Sequence, residues 1–288
     1  MIPYGPVVPS GTITGPGDAV GTAAAYVVSV RLATWNVNSL RSRIDRVEAF
    51  LARHDVDVLA LQETKARLDQ LPLMGLQSAG YEVAAAGVDQ WNGVAVISRV
   101  GLDDVEVGFP DMPGWGDPVA PEARAIGATC GGVRVWSLYV PNGRKVDDRH
   151  YAYKLDWLAR LRAAARDWAA TPTALVGDWN IAPRDEDVFD IAQFRTSTHV
   201  TAPERAAFQG FLDDGYADLA RPYTPEPDSY TYWDYYRQRF DRNRGMRIDF
   251  VLGSPALAAR TTGAFVDRDE RAGKGASDHA PVVVDLAD

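Results

Sequence analysis

From Arg31 onward the chain alternates short apolar runs with stretches whose apolar residues recur every three or four positions. The runs predict strands over 31–35, 56–61, 80–84, 93–97, 133–140, 173–177, 247–252 and 281–286. Ile44, Val47, Phe50 and Leu51 place one apolar face on a helix over 41–53, with Asn38 or Ser39 as its cap. Tyr151, Leu155, Leu158, Leu161, Ala165 and Trp168 form the buried stripe of a long second helix. Thr201 with Glu204 makes a capping box ahead of Phe208, Phe211 and Leu212, and Gly215 closes that third helix. Pro-rich loops fall at 110–121 and 222–227. The pattern is that of one α/β domain over 30–288; periodicity does not fix which strands pair.

The first 29 residues break the pattern. Nine are Gly or Pro and none is Lys or Arg, so the stretch lacks the positive start of a secretory signal. It reads as a loosely ordered extension, 1–29, outside the chemistry, with Val27 to Val30 lengthening the first strand. No apolar run approaches the ~20 residues of a membrane span. Cys130 is the single cysteine, which excludes an internal disulfide and suits a reducing, cytoplasmic setting.

Composition adds one tension. The chain has 288 residues, enough for a large core, and a formal net charge of -9. That balance argues against a nucleic-acid binder unless cations gather locally. They do gather: Arg237, Arg239, Arg242, Arg244 and Arg247 fall within eleven residues against the single acid Asp241, interleaved with Phe240 and preceded by Tyr232, Trp233, Tyr235 and Tyr236.

The polar residues at strand ends carry the chemistry. Asn36 follows the first strand and Glu63 the second; Tyr139 and Asn142 end another, and Asp178 and Asn180 follow Gly177. Asp249 interrupts an apolar run, and Asp278-His279 precedes the last strand. A single Asn or Asp there is an ordinary turn residue, but six such sites, Glu and His among them, are poorly explained as turns. Carboxylate and amide oxygens without paired thiols or clustered histidines suit a hard cation such as Mg²⁺ rather than zinc. A Gly-x-Ser-x-Gly elbow and a Gly-rich phosphate loop are both absent from the sequence, which disfavours a serine hydrolase and a nucleotide-binding fold. A hard metal, a histidine and several amides point to attack by water on a phosphate ester.

Trp35-Asn-Val-Asn-Ser-Leu-Arg-Ser-Arg43, Leu61-Gln-Glu-Thr-Lys65, Trp91-Asn-Gly-Val-Ala-Val-Ile97, Tyr139-Val-Pro-Asn-Gly143, Gly177-Asp-Trp-Asn-Ile181, Asn243-Arg-Gly-Met-Arg-Ile-Asp249 and Ser277-Asp-His-Ala-Pro281 stand in this order. Together they resemble the exonuclease III family of abasic-site endonucleases, within the endonuclease/exonuclease/phosphatase superfamily. The resemblance runs from about Arg31 to the C-terminus. It implies a four-layer α/β/β/α sandwich, two mostly antiparallel sheets face to face with helices outside. It also implies a monomeric, cytoplasmic, nucleoid-associated DNA-repair enzyme. Such an enzyme cuts double-stranded DNA 5′ to abasic sites and trims blocked 3′ ends, with Mg²⁺ as cofactor and Mn²⁺ as a substitute.

The same resemblance assigns roles. Glu63 is the principal metal ligand with Asn36 beside it and Asp278 near, while Asp178, Asn180 and His279 enter where a second or moving ion is described. Asp178 orients or deprotonates the attacking water, and Asn180 holds that water or the developing phosphorane oxygens. His279 pairs with Asp249, either as a phosphate-binding cation or as a general base. Tyr139 and Asn142 donate to the phosphate. Read from their charge, Arg41, Arg43, Lys65, Arg144, Lys145, Arg184 and the cluster Arg237, Arg239, Arg242, Arg244 and Arg247 are the candidate phosphate contacts, with Asn38 a further DNA contact. Tyr232, Met246 and Ile248 match the pocket for a flipped-out abasic sugar, although the family often has Trp or Phe where this chain has Tyr232. Alternatives are a predominantly 3′→5′ exonuclease or RNA-active relative, a superfamily phosphatase or sphingomyelinase, and an inactive DNA-binding relative.

Overall fold

The structure is a computed structural model and describes residues 29–225 and 229–288. The first 28 residues, which hold most of the expected N-terminal extension and Val27, lie outside the described residues, as does 226–228 in the second Pro-rich loop.

Two six-stranded sheets form the centre. One comprises β1 (Val30–Asn36), β2 (Val58–Gln62), β3 (Glu82–Ala86), β4 (Val94–Ser98), β11 (Thr261–Val266) and β12 (Val282–Leu286), ordered β11-β12-β1-β2-β4-β3. The other comprises β5 (Asp103–Val107), β6 (Ala125–Cys130), β7 (Val133–Tyr139), β8 (Thr173–Asp178), β9 (Ala217–Asp218) and β10 (Asp249–Gly253), ordered β5-β6-β7-β8-β10-β9. In each sheet one central pair is parallel, β1 with β2 and β7 with β8, and every other pairing is antiparallel. Each parallel pair is joined by a helix: α1 (Leu40–His54) and α3 (Arg149–Trp168). The remaining helices are α2 (Met74–Ser78), α4 (Ala202–Asp213) and the single turn α5 (Pro255–Ala258).

Alternation along the strands sorts the core into three layers. Leu32, Val58, Ala60 and Val96 of one sheet meet Ile126, Val135, Val176 and Val251 of the other in an apolar interior between the sheets. The opposite faces carry Trp35, Leu59 and Ile97 against Phe50 and Leu51 of α1, and Trp136, Leu175 and Phe250 against Trp157 and Phe211 of α3 and α4. The order helix, sheet, sheet, helix is therefore the expected four-layer sandwich. A polar staple crosses the interior just under the rim. Gln62 Nε2 donates to Thr34 Oγ1 and to Ser137 Oγ, both at 3.0 Å, and Ser137 donates to Leu61 O at 2.8 Å.

The expected elements recur with shifted ends, the strand expected at 80–84 at Glu82–Ala86 and that expected from 247 only from Asp249. Four strands were not anticipated. β5 is an acidic, exposed edge; β6 is built of small residues; β9 has two residues; β11 carries Gly263 and a register shift. None presents an apolar run long enough to stand out. The cap of α1 also differs. Neither the Asn38 nor the Ser39 side chain caps it. Instead Ser39 N and Leu40 N donate to Glu63 O and Thr64 O at 2.7 and 3.1 Å, so the helix is seated on the loop after β2. Among the described residues no helix is long and apolar enough to cross a membrane.

Candidate active site

Both parallel pairs end at the same rim of the sandwich, and the strand-end polar groups meet there. Asn36 lies between the sheets' two acids: its Nδ2 donates to Glu63 Oε1 at 2.8 Å and to Asp178 Oδ2 at 3.0 Å. Its Oδ1 accepts from Asn38 N at 3.0 Å, which fixes the amide's orientation. Gly177 brings the second acid in. Its φ of 143° suits glycine, and a Cβ there would sit 1.9 Å from Leu138 O of the adjacent strand. Glu63 (φ 54°) and Asn180 (φ 50°) both take left-handed backbone, a local cost the surrounding bonds sustain.

Glu63 and Asp178 differ sharply in proton affinity. Burial alone would push Glu63 up, but Lys65 Nζ, 2.7 Å from its Oε2, and the Asn36 amide hold it below the usual carboxylate range. Asp178 shares the Asn36 amide but has no lysine beside it. Burial first, then the Asp249 and Glu63 carboxylates, push it up to about 7 against the pull of His279.

His279 is built on β1. Its carbonyl accepts from Trp35 Nε1 at 3.1 Å, and its N–H donates to Ser277 Oγ at 3.2 Å, which donates in turn to Asn36 O at 2.7 Å. Nδ1 donates to Asp249 Oδ2 at 2.8 Å, leaving Nε2 3.8 Å from Asp178 Oδ2. Burial opposes a charge here, yet Asp249 and Asp178 outweigh it and raise the imidazole to about 10. Thr231, which sequence reasoning passed over, donates to Asp249 Oδ2 at 2.6 Å and accepts from Ile248 N and Asp249 N, both at 3.1 Å. The other Asp249 oxygen, Oδ1, is buried without a hydrogen-bond partner.

Above these groups opens a cleft of about 740 Å³ whose walls include Glu63, Tyr139, Asn142, Asp178, Asn180, Asp278 and His279. Arg144, Lys145, Arg239 and Arg244 give its walls positive charge, the last two flanking the Phe189 ring at 5.0 and 5.8 Å. Tyr139 packs under the Arg124 guanidinium at 4.8 Å, and burial with Glu63 close by pushes its phenol well above its ordinary value. Tyr232, Met246 and Ile248 line one side, the Tyr232 ring centred 4.9 Å from that of His279.

Several expected contacts are placed otherwise. Arg247 is a correction: it is 1 % exposed, donates to Asp218 at 3.0 Å and to Thr224 Oγ1 at 2.8 Å, and so braces the fold rather than a phosphate. Arg184 lies outside the cleft in a separate depression and pairs with Glu186 at 3.7 Å. Arg41 is exposed on the first turn of α1 and does not line the cleft. Arg43 bonds Asn38 O, Ala276 O and the Tyr235 hydroxyl, tying the loop before α1 to the Ser277 loop. Lys65 serves Glu63 and Asn38 Oδ1, and Asn38 Nδ2 donates to Asp278 Oδ1 at 3.0 Å. Arg237 and Arg242 are exposed.

A residue sequence reasoning missed is His199, in the cleft wall with Nε2 3.1 Å from Asn180 Oδ1. Burial and the nearby Lys154 push it down to about 4. Lys154 and Glu204 form a fully buried pair at 2.5 Å, with Lys154 Nζ also donating to Asn180 O at 2.7 Å. The only signals in the sequence were the scarcity of histidine, four in all, and the capping box two residues on.

The matching family model settles the kinship: it is described as the endonuclease/exonuclease/phosphatase family and covers residues 33–279. The chain belongs to that family. Among curated endonuclease/exonuclease/phosphatase relatives, exodeoxyribonuclease III of Haemophilus influenzae is 30% identical over 267 residues, spanning 88% of this chain and 98% of that protein. The solved 3′ phosphatase NExo from Neisseria bound to product DNA hairpin aligns with a TM-score of 0.84 and 39% identity, over 89% of this chain and 99% of that one. An AP endonuclease from Archaeoglobus fulgidus aligns at 0.83 with 32% identity and the same coverage.

The donor set of this family member suits a hard cation. Glu63 and Asp178 each set a carboxylate oxygen on the Asn36 amide nitrogen, at 2.8 and 3.0 Å, so oxygen donors of the kind a hard cation takes stand side by side. Asp178, Asp249 and His279 also lie close enough to share an ion. The 2.8 Å Nδ1–Asp249 bond makes that trio a histidine–carboxylate pair facing an acid.

Proposed function

We propose that this chain is a Mg²⁺-dependent DNA-repair phosphodiesterase. It cuts duplex DNA 5′ to abasic sites and trims 3′ ends, as a 3′→5′ exonuclease and 3′ phosphatase, with residues 30–288 as the catalytic unit. The names of its relatives, exodeoxyribonuclease III, 3′ phosphatase and AP endonuclease, support the reaction class. The observation that carries it is the meeting of Glu63 and Asp178 on one Asn36 amide, beside the His279–Asp249 pair, at the floor of a cleft whose lining includes Arg144, Lys145, Arg239 and Arg244.

Asp178, raised to about 7, has the proton affinity of a base working near neutrality and takes the proton of the attacking water. Asn180, whose N–H donates to Asp178 Oδ1 at 2.9 Å, keeps that carboxylate turned toward the water. His279, held protonated by Asp249, presents an N–H to a non-bridging phosphate oxygen and stabilises the charge that develops there. Tyr139, kept protonated by its raised value, and the Asn142 amide donate to the same phosphate. Arg144, Lys145 and Arg244 hold flanking phosphates. Tyr232, Met246 and Ile248 receive the extruded sugar, whose missing base costs little stacking to remove. Glu63, with Asn36 beside it and Asp278 near, would hold Mg²⁺, or Mn²⁺ in its place, which when bound supplies Lewis-acid charge at the phosphoryl oxygens. The reading carries with it a monomer acting on cytoplasmic, nucleoid DNA.

The test is a gel assay on one duplex carrying a tetrahydrofuran abasic analogue and on an undamaged duplex, each with Mg²⁺ or EDTA. The expected result is a Mg²⁺-dependent nick at the analogue. A lack of any Mg²⁺-dependent nick at the analogue removes the reading.

A further inference from the structure

We propose that His199 is a positioning residue for this hydrolysis: it holds the Asn142 amide so that Asn142 and Asn180 keep one arrangement over the reaction centre. The inference rests on the phosphodiesterase reading above.

Hydrogen-bond accounting at Asn142 leads to it. Asn180 Nδ2 donates to Val140 O at 3.0 Å, so Asn180 Oδ1 must face the cleft. His199 Nδ1 stands 2.7 Å from Thr198 O; a carbonyl only accepts, so Nδ1 carries the hydrogen and Nε2 offers a lone pair. Asn142 Nδ2 then bridges two acceptors that stand 3.1 Å apart in van der Waals contact, Asn180 Oδ1 at 2.9 Å and His199 Nε2 at 3.3 Å, while its own Oδ1 accepts from Arg144 N at 3.2 Å. A flipped Asn142 amide would set oxygen against oxygen. The shorter contact fixes the plane of the amide. The longer one is weak enough to be handed to a phosphate oxygen, with His199 holding that N–H until then.

The backbone shows how firmly His199 is held. Its φ of 85° is costly for a residue with a Cβ. It is sustained by Glu204 Oε1, which accepts from His199 N at 2.9 Å and Thr198 Oγ1 at 2.6 Å, and by His199 O, which accepts from Ala182 N at 2.9 Å. Glu204 is the acid paired with Lys154, whose Nζ also donates to Asn180 O. His199 and Asn180 thus hang from one buried ion pair.

The experiment compares single-turnover cleavage of the tetrahydrofuran duplex, at saturating DNA and Mg²⁺, for His199→Leu, His199→Gln and His199→Gly, each alone and combined with Asn142→Ala. His199→Leu removes the acceptor and should slow the step about tenfold, one oriented hydrogen bond. His199→Gln, which can bring an amide oxygen near the Nε2 position, should return to within threefold of wild type. His199→Gly should be as slow as the leucine variant yet melt no lower than wild type, because glycine accepts the positive φ freely. In the Asn142→Ala background, His199→Leu should add nothing. The inference is overturned if Leu and Gly variants of an active enzyme both stay within threefold of wild type, if glutamine does no better than leucine, or if the two losses add. A wild type inactive on every DNA substrate overturns the reading beneath it, and the inference with it.

Discussion

The two sheets of this molecule repeat one arrangement and put it to opposite uses. Each centres on a parallel strand pair flanked by antiparallel neighbours, and each ends that pair in a carboxylate, Glu63 after β2 and Asp178 closing β8. Ligands gather at the carboxyl ends of parallel strands, so both acids stand where chemistry is placed. What differs is the company. The Glu63 loop carries Lys65, which keeps the acid ionised; Asp178 is buried beside Asp249, and burial and that second carboxylate outweigh the pull of His279 and leave it with affinity for a proton. Topology places the two acids, and neighbours divide their labour.

The sharpest way to break this comparison is to exchange the acids for amides. Asp178→Asn should lower single-turnover cleavage by roughly 10²–10⁴ while duplex binding is retained. Activity within tenfold of wild type would put the base elsewhere. The two loops also differ in anchorage. Lys154→Met, which strips Glu204 of its partner behind Asn180, should cost about 3–5 kcal/mol in urea unfolding. Lys65→Met, at a pair that water still reaches, 26 % and 16 % exposed against none for Lys154 and Glu204, should cost less, about 1 kcal/mol. Equal losses would deny that the second sheet's loop is the more rigidly mounted.

Glu63→Gln tests the ionised member. The Mg²⁺ needed for half-maximal cleavage should rise ~10-fold or more, with activity partly recovered at high Mg²⁺, a recovery Asp178→Asn should not show. An unchanged Mg²⁺ midpoint would remove Glu63 from the metal. The last prediction concerns pH. His279 is raised from 6.5 to about 10, so its contribution to stability is complete below 6.5 and is lost as pH climbs toward 10. In EDTA, unfolding free energy should therefore fall between pH 7 and 10, by at most about 1.4 kcal/mol per pH unit from this group. His279→Gln should flatten that slope. Asp178 is raised too, from 3.8 to about 7, so its contribution has the same sign but lies below this window. A wild type that gains stability over pH 7–10 would show that His279 is not held as a cation.

Much of this could be read before any coordinates. Residue type and position at strand ends are local properties, so Asn36, Glu63, Tyr139, Asp178 and His279 were all legible, as was the cation requirement implied by oxygen donors. The apolar spacing of α1, α3 and α4 was legible for the same reason. Tertiary structure alone decided the rest. Whether Arg247 meets a phosphate or Asp218 depends on a partner 29 residues away, and burial settles it. Whether Asp178 binds a proton depends on Asp249 and His279, brought beside it by strand pairing and by the Ser277 bond to β1. His199 takes a conformation its own residue type disfavours, because Glu204 and Lys154 hold its backbone from another helix pair. A sequence states which groups are present; proton affinity, burial and strain are properties of neighbours, and neighbours exist only once the chain has folded.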